Sequence, residues 1–151
     1  RLDGVTGVQT CALPIFADAV VASLNAAPFS LPFTAERKYQ PAFELSQLHE
    51  LRVSVVPKSL TATAATRADA FFDCAIDIGI QRKVNADDAP TLDGLMHLVE
   101  EIGDRLRFHR LEAFPGAAWL AIENDPIFAP DHLEKERVFT SVLTVTYRVR
   151  R

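Results

Sequence analysis

The sequence predicts an α+β fold in which two helices pack on one face of a mostly antiparallel sheet of four to five strands. The predicted order is one helix, two or three strands, a second helix and two more strands. Few strand-helix-strand units alternate in this order, which disfavours a doubly wound parallel sheet. With 151 residues, 48% of them hydrophobic, the chain is long enough to bury a core without disulfides or a metal.

The first residues look foreign to the rest of the chain. Residues 5–15 read VTGVQTCALPI, which is the in-frame translation of a common sequencing-library adapter, and Phe16 fits the final T of that adapter. A natural strand or a signal-peptide fragment is the competing interpretation, but a basic n-region and a convincing cleavage site are missing. We therefore expect residues 1–15 to be an adapter-derived, non-native segment and residues 16–151 to be a single α+β domain, truncated at its N-terminus.

Apolar residues recur at near-helical spacing on one face from Phe16 onward, which predicts a first helix. Asn25 and Pro28 are expected to end it. Residues 36–44 predict a strand that Pro41 interrupts. Since proline cannot donate to a ladder of hydrogen bonds, we expect this strand to lie at a sheet edge or to carry a bulge.

Two further strands are predicted in the middle of the chain. Residues 51–56 are rich in β-branched side chains, and Pro57 closes this strand. Residues 59–70 are dominated by Ala and Thr and predict either a weakly specified strand or a mobile loop. Residues 71–84 give the clearest strand pattern, in which one face is apolar and the other polar. The apolar positions are Phe72, Cys74, Ile76, Ile78 and Ile80.

A second helix of about four turns follows, with Pro90 suited to its first turn. Its apolar residues repeat at spacings of three and four, which is typical of an amphipathic helix. They are Leu92, Leu95, Met96, Val99, Ile102 and Leu106.

The last two predicted strands cover residues 117–122 and 137–149, separated by loops at 123–126 and 129–132. One face of the final strand carries Thr140, Thr144, Thr146 and Arg148. Threonine favours strands while remaining polar, so this face suits contact with solvent or with a neighbouring subunit.

Composition excludes several classes of protein. A net charge of −4 and a pI near 5.5 give no global attraction to nucleic acid or anionic lipid. No apolar run approaches the ~20 residues that span a bilayer, so we expect no membrane association. Arg148 and Arg150 share a strand face and form a local basic strip, which leaves nucleic-acid contact open as a hypothesis.

The sequence contains no recognisable catalytic or metal-binding arrangement, so we predict a protein that is not an enzyme and needs no cofactor. The four histidines are not spaced as paired metal ligands. Asp73 and Asp77 share a strand face but lie ~13 Å apart at Cα, too far to cooperate directly. We expect them to keep that face hydrated, or else to form salt bridges at a subunit interface. Cys74 lies in an apolar register and is expected to be buried and unreactive.

A set of landmarks appears in order along nearly all of residues 16–151. They are ADAVV at 17–21, PFTA at 32–35, YQP at 39–41, LRVSVVPK at 51–58, IDIGIQRK at 76–83, the helix from Leu95-Met96 to Ile102, NDPIF at 124–128 and FTSVLTVTY at 139–147. In this combination the chain resembles small bacteriophage and prophage structural proteins of the tail-completion type, also called tail-terminator or neck proteins.

This resemblance implies a subunit of a ring, commonly hexameric, that caps the tail tube and joins it to the head connector. Its partners would be copies of itself and the tail-tube and connector proteins, with nucleic acid only in the ring lumen. Its location would be the virion, and the host cytoplasm during assembly. Candidate interface residues are Thr140, Thr144, Thr146 and Arg148, together with Pro126, Phe128 and Pro130 in the 124–131 loop and the Ala/Thr stretch 59–70.

Two alternatives remain open at this point. One is a small ligand-binding or enzymatic domain with a pocket between sheet and helices. It would be contradicted by a structure in which Leu95, Val99, Ile102 and Ile76 fill that space. The other is a nucleic-acid-binding accessory protein that uses Arg148 and Arg150.

Overall fold

The computed structural model describes residues 12–40, 47–85 and 87–151 of the chain. In chain order the elements are α1 (Ala12–Ala26), β1 (Ala35–Arg37), β2 (Arg52–Ala64), β3 (Ala70–Lys83), α2 (Ala89–Phe108), β4 (Ala118–Glu123), a short π-helix (His132–Glu136) and β5 (Val138–Arg150). Within the described residues the strands form one five-stranded sheet in the order β1-β2-β3-β5-β4. The β1–β2 pair is parallel and the other three pairs are antiparallel, which confirms the predicted α+β class with a mostly antiparallel sheet.

The core is built on one face of the two central strands. Every second residue of β3 from Cys74 to Ile80 is buried, and the β5 residues that pair with them, from Tyr147 to Ser141, are buried as well. Apolar side chains of both helices join the same core cluster. They are Phe16, Ala17, Ala19, Val20 and Leu24 from α1, and Leu95, Leu98, Val99, Ile102 and Leu106 from α2. Each large side chain buried in this way contributes roughly 1.5–3 kcal/mol, so this face provides most of the hydrophobic stabilisation.

One sheet residue contacts both helices. The ring of Tyr147 lies edge-on against Phe16 of α1, with 5.0 Å between centroids. Its hydroxyl donates a hydrogen bond to the carbonyl oxygen of Leu106 in α2 at 3.2 Å. Tyr147 therefore ties the end of α2 to the sheet and to α1. The further expectation that both helices pack on one face of the sheet stays a prediction.

The prediction that Pro57 closes the second strand was wrong. β2 continues through Pro57 to Ala64, and its register against β3 shifts between Pro57 and Ser59. Proline is tolerated at this point because β1 pairs with β2 only as far as Val55, so Pro57 lies on an edge where no ladder donor is required. Of the two options for residues 59–70, the strand is correct as far as Ala64, and a tight turn leads into β3.

The side chain of Asp88 caps the N-terminus of helix α2. Asp88 accepts hydrogen bonds from the backbone N–H of Thr91 at 3.3 Å and from its hydroxyl at 2.7 Å. Pro90 occupies the first turn, where its missing N–H costs nothing. The helix runs for 20 residues, longer than the four turns predicted, because it begins three residues before the first apolar position of the pattern, Leu92, and ends two residues after the last, Leu106.

Three other boundaries differ from expectation or extend it. Helix α1 starts at Ala12, inside the segment predicted to be adapter-derived, and Leu13 packs against the core. β1 is a three-residue edge strand, which confirms its place at the edge, whereas the interruption at Pro41 lies outside the described residues. The π-helix begins at His132, the last residue of the predicted 129–132 loop, and covers residues 133–136, for which the sequence predicted no element. It ends at Arg137, which was predicted to begin the last strand and has a left-handed conformation with φ 55°.

Candidate interaction surface

The second face of the sheet carries polar side chains that bond to one another across strands. Thr144 of β5 pairs with Asp77 of β3, and its hydroxyl donates to the carboxylate at 2.6 Å. Lys58 approaches the same carboxylate oxygen at 3.7 Å. We call this surface the polar face. Asp77 on this face is therefore engaged within the chain by Thr144 and Lys58.

A charged cluster lies further along the polar face. Arg148 donates from Nε and Nη2 to the two carboxylate oxygens of Asp73, at 2.8 and 3.0 Å. Arg150 pairs with Asp69 at 3.0 Å. The guanidinium carbons of Arg148 and Arg150 lie 4.8 and 5.9 Å from the ring centre of Phe71. The basic strip predicted from the sequence is therefore matched by acids, so binding a nucleic acid with it would require breaking two ion pairs.

This pairing shifts the titration of both partners. The hydrogen bonds from Arg148 lower the pKa of Asp73 below its ordinary value, because they stabilise the carboxylate. The same bonds raise the pKa of Arg148. The bidentate geometry holds both side chains in one orientation on the sheet surface.

The other threonines of the final strand differ in their surroundings. Thr140 accepts a hydrogen bond from the Gln81 amide at 3.4 Å, and His132 Nδ1 lies 3.1 Å from its hydroxyl. Thr146 pairs with Ala75 of β3 and is half-buried. All four predicted residues of β5 thus lie on the polar face, and the structure brings Thr144 and Arg148 together with acids of β3.

The 124–131 loop has a mixed character. Asn124 anchors it by donating to the Val142 carbonyl at 2.8 Å. Pro126, which follows a cis peptide bond, and Pro130 are exposed. Phe128 is half-buried and packs 5.8 Å from the ring of Phe139. Only the two prolines of the three predicted loop residues therefore offer a largely open surface.

The hairpin between β2 and β3 forms an exposed arm, residues 58–70. The last seven residues of β2, Lys58–Ala64, are all exposed. The turn at its tip is well defined, since the N–H groups of Ala65 and Thr66 both donate to the Asp69 carbonyl at 3.1 Å. Thr66 Oγ1 in turn accepts from the backbone of Ala68 and Asp69. Sequence reasoning identified this stretch as a candidate interface but left its structure open.

Ser30, His97 and Glu101 come together at the surface, where Glu101 accepts from the Ser30 hydroxyl and lies 3.9 Å from His97 Nε2, whereas Cys74 lies apart in the core. Cys74 is buried, and loss of solvation raises the pKa of its thiol, as expected for an unreactive cysteine. Across the residues that the structure describes, no group of three or more His, Cys, Asp or Glu side chains is arranged to hold a metal ion. His97 and His132 are exposed on separate elements.

The position suggested for a ligand pocket is occupied by core side chains. Leu95, Ile102 and Ile76 are fully buried and Val99 is 4% exposed, so they fill the space between sheet and helices. An open cleft of about 640 Å³ lies elsewhere, beside the start of β2. Its lining includes Phe33, His49, Glu50, Arg52 and Arg82.

No helix in the described ranges has both the length and the apolar character needed to cross a membrane. Comparison of the chain with protein-family models and with curated proteins finds no match. The function is therefore inferred from the landmarks in the sequence and from the surfaces described above.

Proposed function

We propose that this chain is a structural subunit of a bacteriophage virion, of the tail-terminator or head-tail joining kind, and that it acts by assembling into a ring without catalysis. The observation that carries the proposal is the arm. Seven consecutive strand residues exposed to solvent add little to the core of a single chain, but they supply a ready surface for a partner.

The polar face supports the same proposal. Its side chains are held in fixed positions by Asp77–Thr144 and Asp73–Arg148 contacts. A surface ordered in this way loses little side-chain freedom when a neighbour covers it, which favours association. The sequence landmarks between residues 16 and 151 support the assignment of this assembly to a phage tail.

Closed rings need head-to-tail contacts, in which two different surfaces of each subunit meet. The arm and the prolines of the 124–131 loop belong to different parts of the chain, so they are candidates for the two sides of such a contact. Copies of the chain are the first partners in this proposal, and tail-tube and head-connector proteins are the next.

The most direct test uses the genes beside this one on its contig. Neighbouring genes for capsid, connector and tail-tube proteins are expected, and metabolic neighbours would overturn the proposal. The tail-tube protein encoded nearby should then co-purify with this chain when the two are expressed together. Electron microscopy of the purified chain should show rings with a central opening.

The alternative of a ligand-binding domain depends on the cleft beside β2, because Arg52 and Arg82 there could attract an anionic ligand. Arg52 already lies 3.6 Å from Glu50, which offsets part of its charge. A thermal-shift screen with small anions distinguishes the two functions. Stabilisation that disappears in an Arg82→Ala variant would favour the ligand-binding alternative.

A further inference from the structure

Two edges of the sheet are open in the part of the chain that the structure describes. β1 covers β2 only as far as Val55, so no other described residue pairs with β2 on that side from Pro57 to Ala64. β4 is the last strand at the opposite side of the sheet. Open edges of this kind present unpaired backbone groups and are templates for pairing with another strand.

The direction of the backbone groups on the β2 edge follows from the neighbouring ladder. Ala70 of β3 exchanges hydrogen bonds with Arg151 at 2.7 and 3.0 Å, so even-numbered residues of β3 direct their backbone groups toward β5. Leu60 pairs with Cys74, which is even-numbered, and Pro57 pairs with Ile76. The backbone groups of Pro57 and Leu60 therefore point outward, away from β3.

The direction of the backbone groups on the β4 edge follows from the ladder between β4 and β5. The Val142 carbonyl faces the β4 side, because it accepts from Asn124, so even-numbered residues of β5 direct their backbone groups toward β4. Trp119 and Ile122 pair with odd-numbered Tyr147 and Val145. Their own N–H and C=O groups consequently point outward.

We propose that two copies of the chain join edge to edge, with β2 of one copy pairing antiparallel with β4 of the next. This inference deepens the proposed function, because it rests on ring assembly and names the contact. β2 and β4 run in opposite directions within one sheet, so a neighbour in the same orientation presents β4 antiparallel to β2. Each copy contacts one neighbour through its β2 edge and the other neighbour through its β4 edge, which is the head-to-tail contact that a ring needs.

The two edges are in step along the sheet. Pro57 pairs with Ile76, Ile76 with Val145, and Val145 with Ile122, so Pro57 and Ile122 lie at the same position along the strands. Leu60 and Trp119 likewise share a position along the strands, because Leu60 pairs with Cys74, Cys74 with Tyr147, and Tyr147 with Trp119. Both edges carry a register shift between these two positions, so the outward-pointing residues are three apart on each strand. If the neighbouring copy is not shifted along the strand direction, Leu60 of one copy lies opposite Trp119 of the next. Pro57 then lies opposite Ile122 and offers only its carbonyl group, because proline has no backbone N–H.

Side chains at the two edges are also complementary. Leu60 and Leu120, exposed by 44% and 41%, supply apolar surface at the two edges. Glu123 pairs with Thr144, whose hydroxyl bonds Asp77, and Lys58 approaches the same Asp77. Lys58 and Glu123 thus lie on the same face of opposite edges. Glu123 is level with Val56, two residues from Lys58, so the opposite charges attract diagonally across the contact.

A proline variant tests the backbone part of the inference. Leu60→Pro removes an outward-pointing N–H that β3 does not use, so the monomer should fold while edge pairing is blocked. Leu60→Val is the matched control, because it keeps the N–H and an apolar side chain. Light scattering and sedimentation are expected to show at least about tenfold weaker association for Leu60→Pro and near wild-type assembly for Leu60→Val.

Charge reversal tests the pairing of the two edges. Lys58→Glu and Glu123→Lys should each weaken association, and the double variant should restore it, because only the contact between copies contains both residues. Circular dichroism of each variant confirms that the fold is kept. Assembly that is insensitive to Leu60→Pro and to the charge reversals would overturn edge pairing while leaving the ring proposal standing. A wild-type chain that stays monomeric at its highest soluble concentration would also overturn it, whereas the virion assignment is judged separately by the neighbouring genes.

Discussion

The contact between Tyr147 and the end of α2 is the most informative single interaction to remove. Tyr147→Phe deletes the hydroxyl that donates to the Leu106 carbonyl at 3.2 Å and leaves the ring against Phe16. Leu106 is among the last four residues of α2, whose carbonyls lack partners within the helix. The variant therefore leaves a buried carbonyl without its side-chain donor.

The expected loss of stability follows from this geometry. The apolar area of the ring is unchanged, so no cavity the size of a side chain forms and the hydrophobic contribution is kept. A buried acceptor that loses its partner costs about 1–3 kcal/mol. For a domain of this size, each kcal/mol lowers the Tm by roughly 2–4 °C. Tyr147→Ala, which also removes the ring, should cost about 3–5 kcal/mol.

Urea denaturation followed by circular dichroism measures the free energy of unfolding of each variant. Tyr39→Phe is the matched control, because Tyr39 is 83% exposed and its hydroxyl should be replaceable without loss. If Tyr147→Phe unfolds within about 0.5 kcal/mol of the wild type, the hydrogen bond does not anchor α2 and the reasoning is refuted.

Three further predictions concern charge, the thiol and the first residues. Because Arg148 lowers the pKa of Asp73, the ion pair stabilises the folded chain above the unfolded pKa and this contribution disappears as the pH falls through the folded pKa. The stability difference between wild type and Asp73→Asn should therefore shrink on acidification, and a constant difference would contradict it. In a Cys11→Ser variant, which leaves Cys74 as the one thiol of the sequence, the buried side chain should react with a thiol reagent only in denaturant, so rapid labelling of the native variant would show that the site opens. A chain starting at Phe16 should still unfold cooperatively, with a loss below about 3 kcal/mol for the missing Leu13 contact; failure to fold would show that residues 1–15 are needed.

The elements with strong local patterns were predictable. β3 and β5 alternate apolar and polar residues along their length, and the observed strands, Ala70–Lys83 and Val138–Arg150, differ from the prediction by one residue at each end. Helix α2 was equally clear, because its apolar stripe and the proline in its first turn, Pro90, are local signals. The burial of Cys74 followed from the register of its strand.

The elements that depend on distant neighbours were not predictable. Whether Pro57 ends a strand depends on which side of β2 has a partner, and that partner is β1, which no local pattern places beside it. The Ala/Thr composition of residues 59–64 suits a strand or a loop, and pairing with β3 decides for the strand. The π-helix before β5 likewise has no distinct signature in the sequence.

The candidate surface divides in the same way. Spacing in the sequence was sufficient to place Thr140, Thr144, Thr146 and Arg148 on one strand face, because side chains alternate with a period of two. Only the tertiary structure decided that Asp73 and Asp77 pair with residues of that face, since each contact joins positions 67 or more apart in the chain. The sequence by itself therefore determined the fold class and the polarity of each face. The order of strands, the open edges and the ion pairs required the folded sheet, because strand order is set by long-range packing rather than by local preference.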